Sequence, residues 1–136
     1  MTDIQQELFK LAKAAHQHAY CPYSGFPVGC AMRTKEGKYF GGTNVENVAN
    51  GMSRCAESAA IGAMITAGDR QITEVMIYTE SKLPCLPCGG CRQQINEFAK
   101  ADTIIYAAGP EGIRATYQFS DLLPEAFGPL SLELTA

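Results

Sequence analysis

Apolar residues near the start of the chain recur at helical spacing. Within residues 4–19 they stand three or four positions apart, which predicts an amphipathic helix that ends near Tyr20. The apolar face of such a helix needs a sheet to cover it. The residues that set the spacing are Leu8, Leu11, Ala12 and Ala15.

Alternating and β-branched patterns predict the first strands. Residues 28–34 and 39–43 follow a turn-rich stretch at 22–25, and the polar residues 35–38 between them predict a hairpin. The two strands therefore form an antiparallel pair.

A run of small helix-forming residues at 55–67 predicts a second helix, which stops at Gly68. Because almost no charge follows Glu57 in this run, the helix is expected to be largely buried.

The next elements alternate between strand and helix. Residues 72–79 predict a central strand, 88–98 a helix and 103–108 another strand. A strand, a helix and a strand in succession favour a parallel crossover. A last strand at 113–119, a short helical turn at 120–124 and a loop at 127–129 follow.

Composition and charge narrow the function classes. The chain has 136 residues, of which 46% are hydrophobic, and a formal net charge of −3, which fits one domain spanning 1–136. Its scattered basic residues make long nucleic acid a poor partner. The acidic start and the lack of a long apolar run predict neither a signal peptide nor a membrane span. We therefore expect a cytoplasmic protein, whose six cysteines are ligands or nucleophiles more often than disulfides.

Three cysteines and a glutamate form the candidate chemical centre. Cys88 and Cys91 stand one turn apart at a predicted helix start, and Cys55 opens the other helix, where free backbone N–H groups stabilise thiolates. Together they predict a three-thiolate zinc site whose fourth position is open to water, as in catalytic zinc sites. Glu57, two residues after Cys55, is the candidate general acid and base.

Other readings of these cysteines remain open. The thiols are alternatively buried apolar residues, or Cys85 is a fourth ligand that closes a structural zinc site. A redox role for the Cys88–Cys91 pair leaves Cys55 and Glu57 unexplained. Cys21 and Cys30 have no partner spacing and are expected to be core or turn residues.

With these residues in view, the chain resembles the cytidine deaminase family, in its small form with three zinc-binding cysteines. Five motifs carry the resemblance over nearly the whole chain: the segments at residues 20–29, 42–47, 55–57, 87–93 and 122–129. It implies a three-layer α/β/α sandwich around a mixed, about five-stranded sheet. It also implies one Zn²⁺ per subunit and a homotetramer with shared active sites.

The resemblance also implies roles for single residues in binding a free pyrimidine nucleoside. Phe26 would stack on the pyrimidine, Asn44 and Glu46 would hydrogen-bond the ribose 3′-hydroxyl, and Ala56 is placed among the substrate contacts. Phe127 would reach the base pocket of a neighbouring subunit. Without the surrounding motifs, an ordinary core, turn or surface role would be favoured for Phe26, Asn44, Glu46 and Phe127.

The implied reaction belongs to pyrimidine salvage. Zinc hydroxide would attack ring carbon 4 of a cytidine-like nucleoside while Glu57 delivers a proton to ring nitrogen 3 and then to the departing amine. The products would be ammonia and a uridine-like nucleoside.

The sequence departs from the family pattern around Cys55. Relatives usually carry an arginine after the catalytic glutamate, where this chain has Ser58, so Arg54 is expected to supply the missing charge beside the thiolates, with Arg92 retained. Residues 48–54 are also unusual, small and flexible, which predicts a preference for a modified nucleoside over plain cytidine.

Two further functions stay open from the sequence. One is deamination of another aminated heterocycle, such as a nucleoside antibiotic or a free base. The other is an inactive, zinc-stabilised oligomeric binding module. Polynucleotide editing would need a basic channel, which a mildly acidic chain of this length does not offer.

Overall fold

The sheet at the centre of the molecule is mixed and has five strands. The computed structural model describes residues 1–132, and in this part of the chain no helix combines the length and hydropathy of a bilayer-spanning segment. The strands lie in the order β2-β1-β3-β4-β5, with β3 and β4 parallel and the other neighbours antiparallel. They are β1 (Gly29–Thr34), β2 (Tyr39–Thr43), β3 (Ile72–Tyr78), β4 (Ala99–Gly109) and β5 (Gly112–Gln118).

Helices cover both faces of the sheet. Along β1, Cys30 and Met32 join the core under α2, while Ala31 packs on the opposite face with residues of α1. This alternation arises because successive strand side chains point to opposite faces. The helices are α1 (Asp3–His16), α2 (Ala56–Thr66), α3 (Gly89–Asn96) and α4 (Phe119–Leu122). The three-layer α/β/α sandwich and the parallel crossover through α3 are therefore confirmed.

The first helix is fixed at its start by a capping box. The Thr2 hydroxyl accepts from the Gln5 N–H at 3.1 Å, and the Gln5 side chain accepts from the Thr2 N–H at 3.0 Å. At its other end the helix stops at His16, three residues earlier than predicted. The chain turns there because the Tyr20 N–H bonds to the Asn44 carbonyl oxygen at 3.0 Å.

Burial of α2 differs from the sequence prediction. Ala56, Glu57, Ala60 and Met64 are buried, but Gly62, Ala63 and Thr66 are exposed in the single chain. The sheet can cover only one face of a helix, so the lack of charge on α2 does not by itself bury the other face. The outer face of α2 is thus uncharged and open.

Close packing of α2 on the sheet depends on Gly42 in β2. A Cβ atom at this position would collide with the Ala56 carbonyl oxygen and the Ala60 nitrogen and would lie 3.0 Å from the Ala59 carbonyl carbon. These are backbone atoms, which cannot rotate away as a flexible side chain would.

We expect Gly42→Ala to lower the free energy of unfolding by about 3 kcal/mol, because α2 must move to admit the methyl group. Gly51→Ala is the matched control: Gly51 is exposed and an added Cβ there meets nothing within 4 Å, so the free energy of unfolding should change by less than about 0.5 kcal/mol. Urea unfolding of both variants measures the difference. Equal stabilities would contradict the packing argument.

Candidate metal and substrate site

Two helix starts bring three thiols together. Cys55 is the residue immediately before α2, Cys88 is the residue immediately before α3, and Cys91 lies in the first turn of α3. The three sulfur atoms lie within 4.8 Å of one another. In residues 1–132 the Cys/His/Asp/Glu group at this spacing consists of these three, so Cys85 is not the fourth member of the cluster.

The chemistry of these donors suits a soft divalent cation. Burial raises the pKa of the Cys55 and Cys91 thiols, whereas the backbone N–H of Cys91 lowers the pKa of Cys88. A free cluster therefore keeps protons, and a metal that binds three thiolates must displace them. Three thiolates at helix starts are ligands typical of zinc, and a site with three protein ligands has one open position.

Glu57 lies next to this cluster in the first turn of α2. It is only 5% exposed, and burial raises the pKa of its carboxyl, an effect that a hydrogen bond with the Cys91 side chain partly offsets. A carboxyl with a raised pKa exchanges protons near neutral pH more readily than an ordinary one. Glu57 is thus suited to general acid–base chemistry at the metal.

A cavity of about 320 Å³ opens in front of these residues. Its volume lies at the lower end of the range for small-molecule sites. The lining comes from several elements and is mostly apolar, with polar side chains that include Asn44, Glu46 and two of the clustered cysteines. The predicted residues that line it are Phe26, Asn44, Glu46, Arg54, Cys55, Ala56, Glu57 and Cys88.

Phe26, Asn44 and Glu46 form one wall of the cavity. The Asn44 side chain accepts from the Val28 N–H and donates to the Phe26 carbonyl oxygen, both at 2.9 Å. The Glu46 carboxylate accepts from the N–H groups of Tyr23 and Ser24 at 3.0 and 3.1 Å. Both polar side chains therefore hold the loop that carries Phe26, a role that the sequence analysis did not predict.

Comparison with known proteins gives the family of this site. The family model described as the cytidine and deoxycytidylate deaminase zinc-binding region matches residues 2–108. The chain belongs to the cytidine deaminase family. Since that model describes a zinc-binding region, the cofactor of this deaminase-family chain is zinc, and the thiol cluster fits it.

Individual relatives agree with the family model. A cytidine deaminase from Halalkalibacterium halodurans is 38% identical over 123 residues, which cover 90% of this chain and 93% of the relative. The crystal structure of cytidine deaminase from Burkholderia pseudomallei superposes with a TM-score of 0.84 at 38% identity, covering 93% of this chain and 100% of that one. The Mycobacterium tuberculosis enzyme gives a TM-score of 0.79 at 34% identity, covering 94% and 99%.

Besides Cys91, which is buried, two predicted site residues of this deaminase-family chain lie outside the cavity lining. Phe127 is 64% exposed, and its carbonyl oxygen accepts from Gln93 and Asn96 of α3 at 2.8 and 3.1 Å. Arg92 donates to the carbonyl oxygens of Pro87 and Leu122 at 2.7 and 2.9 Å. Within one chain, neither residue completes the substrate cavity.

Arg54 lines the cavity, and its guanidinium donates to the Ser53 carbonyl oxygen at 3.1 Å. Its backbone is paired with Val45, with N–H to oxygen distances of 2.8 and 2.9 Å. The backbone pairing fixes Arg54 beside Val45, and the guanidinium bonds to the main chain of the preceding residue.

The cavity also includes residues that the sequence analysis did not assign to it. Cys85 and Leu86 belong to the segment before Cys88, and Ser24 belongs to the loop of Phe26. Cys85 was considered as a ligand, not as part of a cavity wall. The only sequence signal for the other two was their place beside residues with predicted roles.

Proposed function

We propose that this chain catalyses the hydrolytic deamination of cytidine and deoxycytidine to uridine or deoxyuridine and ammonia. The observation that carries the proposal is the cluster of Cys55, Cys88 and Cys91, of which Cys55 and Cys88 line a cavity together with the buried Glu57. Membership of the family and the names of its relatives support the substrate class. We place the reaction in cytoplasmic pyrimidine salvage, a prediction that the six free cysteines support.

In this proposal the three cysteines hold zinc and Glu57 moves the protons. When bound, zinc supplies Lewis-acid chemistry and lowers the pKa of water in its open position. Glu57 would take a proton from the attacking water and pass it to ring nitrogen 3 of the cytosine, and would then take the proton of the added hydroxyl and pass it to the departing amine. Its burial supports this role, because a carboxyl with a raised pKa holds a proton that it can donate.

The base is proposed to lie between Phe26 and the start of α2. Phe26 is 42% exposed although it lines the cavity, so its ring is available for stacking on an aromatic base. Ala56 is in the first turn of α2, where backbone N–H groups have no acceptor within the helix. We assign its N–H to the base carbonyl oxygen.

The sugar is proposed to bind Asn44 and Glu46. Each of these side chains keeps hydrogen-bonding groups that the Phe26 loop does not use. Asn44 uses one of its two amide N–H groups on Phe26, and the Glu46 carboxylate accepts three hydrogen bonds. An amide has a second donor, and a carboxylate has about four acceptor sites. One donor and one acceptor remain, which matches one sugar hydroxyl.

This match predicts the order of substrates. Cytidine and 2′-deoxycytidine should be converted with similar kcat/KM, whereas 2′,3′-dideoxycytidine should lose roughly 10- to 100-fold, the value of a hydrogen bond to a charged partner. Chromatography of the products with zinc-loaded protein measures the order.

The same measurement tests the alternatives. Equal rates for all three nucleosides would show that the 3′-hydroxyl is not recognised, and no conversion of any would contradict the proposed function. Including N4-modified analogues tests the prediction that residues 48–54 favour a modified nucleoside, which a higher kcat/KM for cytidine would refute.

We propose that Arg54 supplies positive charge near the thiolates. Arg92 is proposed to hold the backbone before Cys88 in place. Arg54 lies in the cavity lining beside Cys55, so its cation can offset the negative charge of the cluster. Arg92 holds the carbonyl oxygen of Pro87, the residue before Cys88. Replacing Arg54 with alanine should weaken zinc binding, and unchanged affinity in a chelator titration would refute its role.

The chain is also proposed to assemble as a homotetramer whose active sites are shared. The outer face of α2 carries no charge and exposes the small residues Gly62 and Ala63, which permit close approach of another helix. The exposed Phe127 ring supports a contact with a neighbouring cavity. Light scattering should give four times the 14.7 kDa chain mass, and a monomer would contradict this assembly.

A further inference from the structure

The loop that carries Phe26 is attached to the end of β2 at two levels. We define the Phe26 loop as residues 20–28. At its base, the Glu46 N–H donates to the Tyr20 carbonyl oxygen at 2.8 Å, and the Thr43 hydroxyl donates to the Val28 carbonyl oxygen at 2.8 Å. At its apex, the Glu46 carboxylate binds residues 23 and 24. The hydrogen bonds at the base fix the two ends of the loop, and those at the apex fix the backbone between them.

Ser24 is the link between that apex and the aromatic ring. Its hydroxyl donates to Glu46 Oε2 at 2.5 Å and accepts from the Phe26 N–H at 3.1 Å. One side chain thus connects the carboxylate of the sugar wall to the backbone of the residue assigned to stacking. Neither the family comparison nor the sequence motifs give Ser24 this role.

The position of Gly25 shows why such a link is needed. Gly25 separates Ser24 from Phe26, has a φ of 65°, and would have nothing within 4 Å of an added Cβ. A glycine in open space has wide backbone freedom. The bond from the Phe26 N–H to the Ser24 hydroxyl spans this glycine and restricts the backbone through which the ring is attached.

We propose that Ser24 is a positioning residue for substrate binding, and that its hydroxyl holds the Phe26 ring in place by joining the Glu46 carboxylate to the Phe26 N–H. The inference rests on the proposed pyrimidine nucleoside site. Ser24 is not itself assigned a contact with the reacting atoms. It acts through Phe26, so its effect belongs to binding of the base and not to proton transfer at Glu57.

The test is steady-state kinetics with cytidine on the zinc-loaded protein. Ser24→Ala should raise KM roughly tenfold, which corresponds to one hydrogen bond, while kcat changes less than threefold. Ser24→Thr keeps the hydroxyl and should restore KM to within threefold of wild type. Ser120→Ala in α4, away from the cavity, is the matched serine-to-alanine control and should leave both constants unchanged.

The double variant separates positioning from a general loss of structure. If Ser24 acts through the ring, Ser24→Ala should raise KM less than twofold in a Phe26→Ala background. An unchanged KM in Ser24→Ala, an equal rise in both backgrounds, or failure of threonine to restore KM would overturn the proposal. These outcomes leave the proposed function intact if wild type converts cytidine, whereas no turnover by wild type would overturn both.

Discussion

Glu57→Gln should lower kcat for cytidine by about a thousandfold or more while the protein still binds zinc. The amide has nearly the same shape as the carboxyl but cannot take up and release the proton that the reaction moves, and such groups contribute about 10²–10⁴-fold. Because Glu57 is buried, a neutral amide at this position costs less desolvation free energy than an ionised carboxylate. We therefore expect an unfolding midpoint no lower than that of wild type.

The control for this variant is Glu36→Gln, which makes the same chemical change in the exposed turn between β1 and β2. It should leave kcat and KM unchanged. Kinetics, zinc content and thermal unfolding of the three proteins provide the comparison. A Glu57→Gln protein with more than a tenth of wild-type kcat would show that another group moves the proton.

Replacing a proposed zinc ligand is the second change with a large expected effect. Cys88→Ala removes one of the three sulfurs that lie within 4.8 Å of one another and should weaken zinc binding by at least about a hundredfold, more than loss of a supporting residue does. Turnover should fall with the bound metal. Chelator competition and metal analysis of the purified variant measure both effects.

Cys85→Ala is the matched control because Cys85 lies only three residues earlier and lines the same cavity, but lies outside the sulfur cluster. It should keep about one zinc per chain and its turnover. Loss of zinc in both variants would instead identify a closed structural site with four cysteines. That result would favour the inactive binding module over a deaminase.

The sequence predicted most elements because hydrophobic periodicity reports local structure. It missed the start of β4, which begins at Ala99 and not at Thr103. Ala99 pairs with Ile72, but the register then shifts, and the Thr103 hydroxyl bonds to the Ile72 carbonyl oxygen at 2.9 Å. A side chain replaces a ladder contact there, and polar residues such as Lys100 and Asp102 gave no strand pattern.

The sequence predicted the metal-binding part of the candidate site but not the contacts of the Phe26 loop, because only the former depends on local spacing. The spacing of Cys88 and Cys91 and the pairing of Cys55 with Glu57 are local signals, and the structure brings all four residues together. The contacts of Ser24 with Glu46 join residues 22 positions apart. Such contacts depend on how the Phe26 loop packs against the end of β2, which periodicity does not describe.

The assembly of subunits is harder to predict from the sequence than the fold or the site. The lack of charge in α2 after Glu57 predicted burial, but the single chain covers only the inner face of this helix. Within residues 1–132 of one chain, the outer face of α2 and the Phe127 side chain stay exposed. In the proposed homotetramer a partner surface would cover them, and hydrophobic periodicity does not identify that surface.

The most direct test of the central claim is to measure zinc content and cytidine turnover on the same samples as metal is returned to chelated protein. The claim predicts that turnover rises in proportion to bound zinc and stops at one zinc per chain, and that Cys88→Ala neither binds the metal nor recovers. Turnover that is complete without zinc, or that is absent at one zinc per chain, would contradict it.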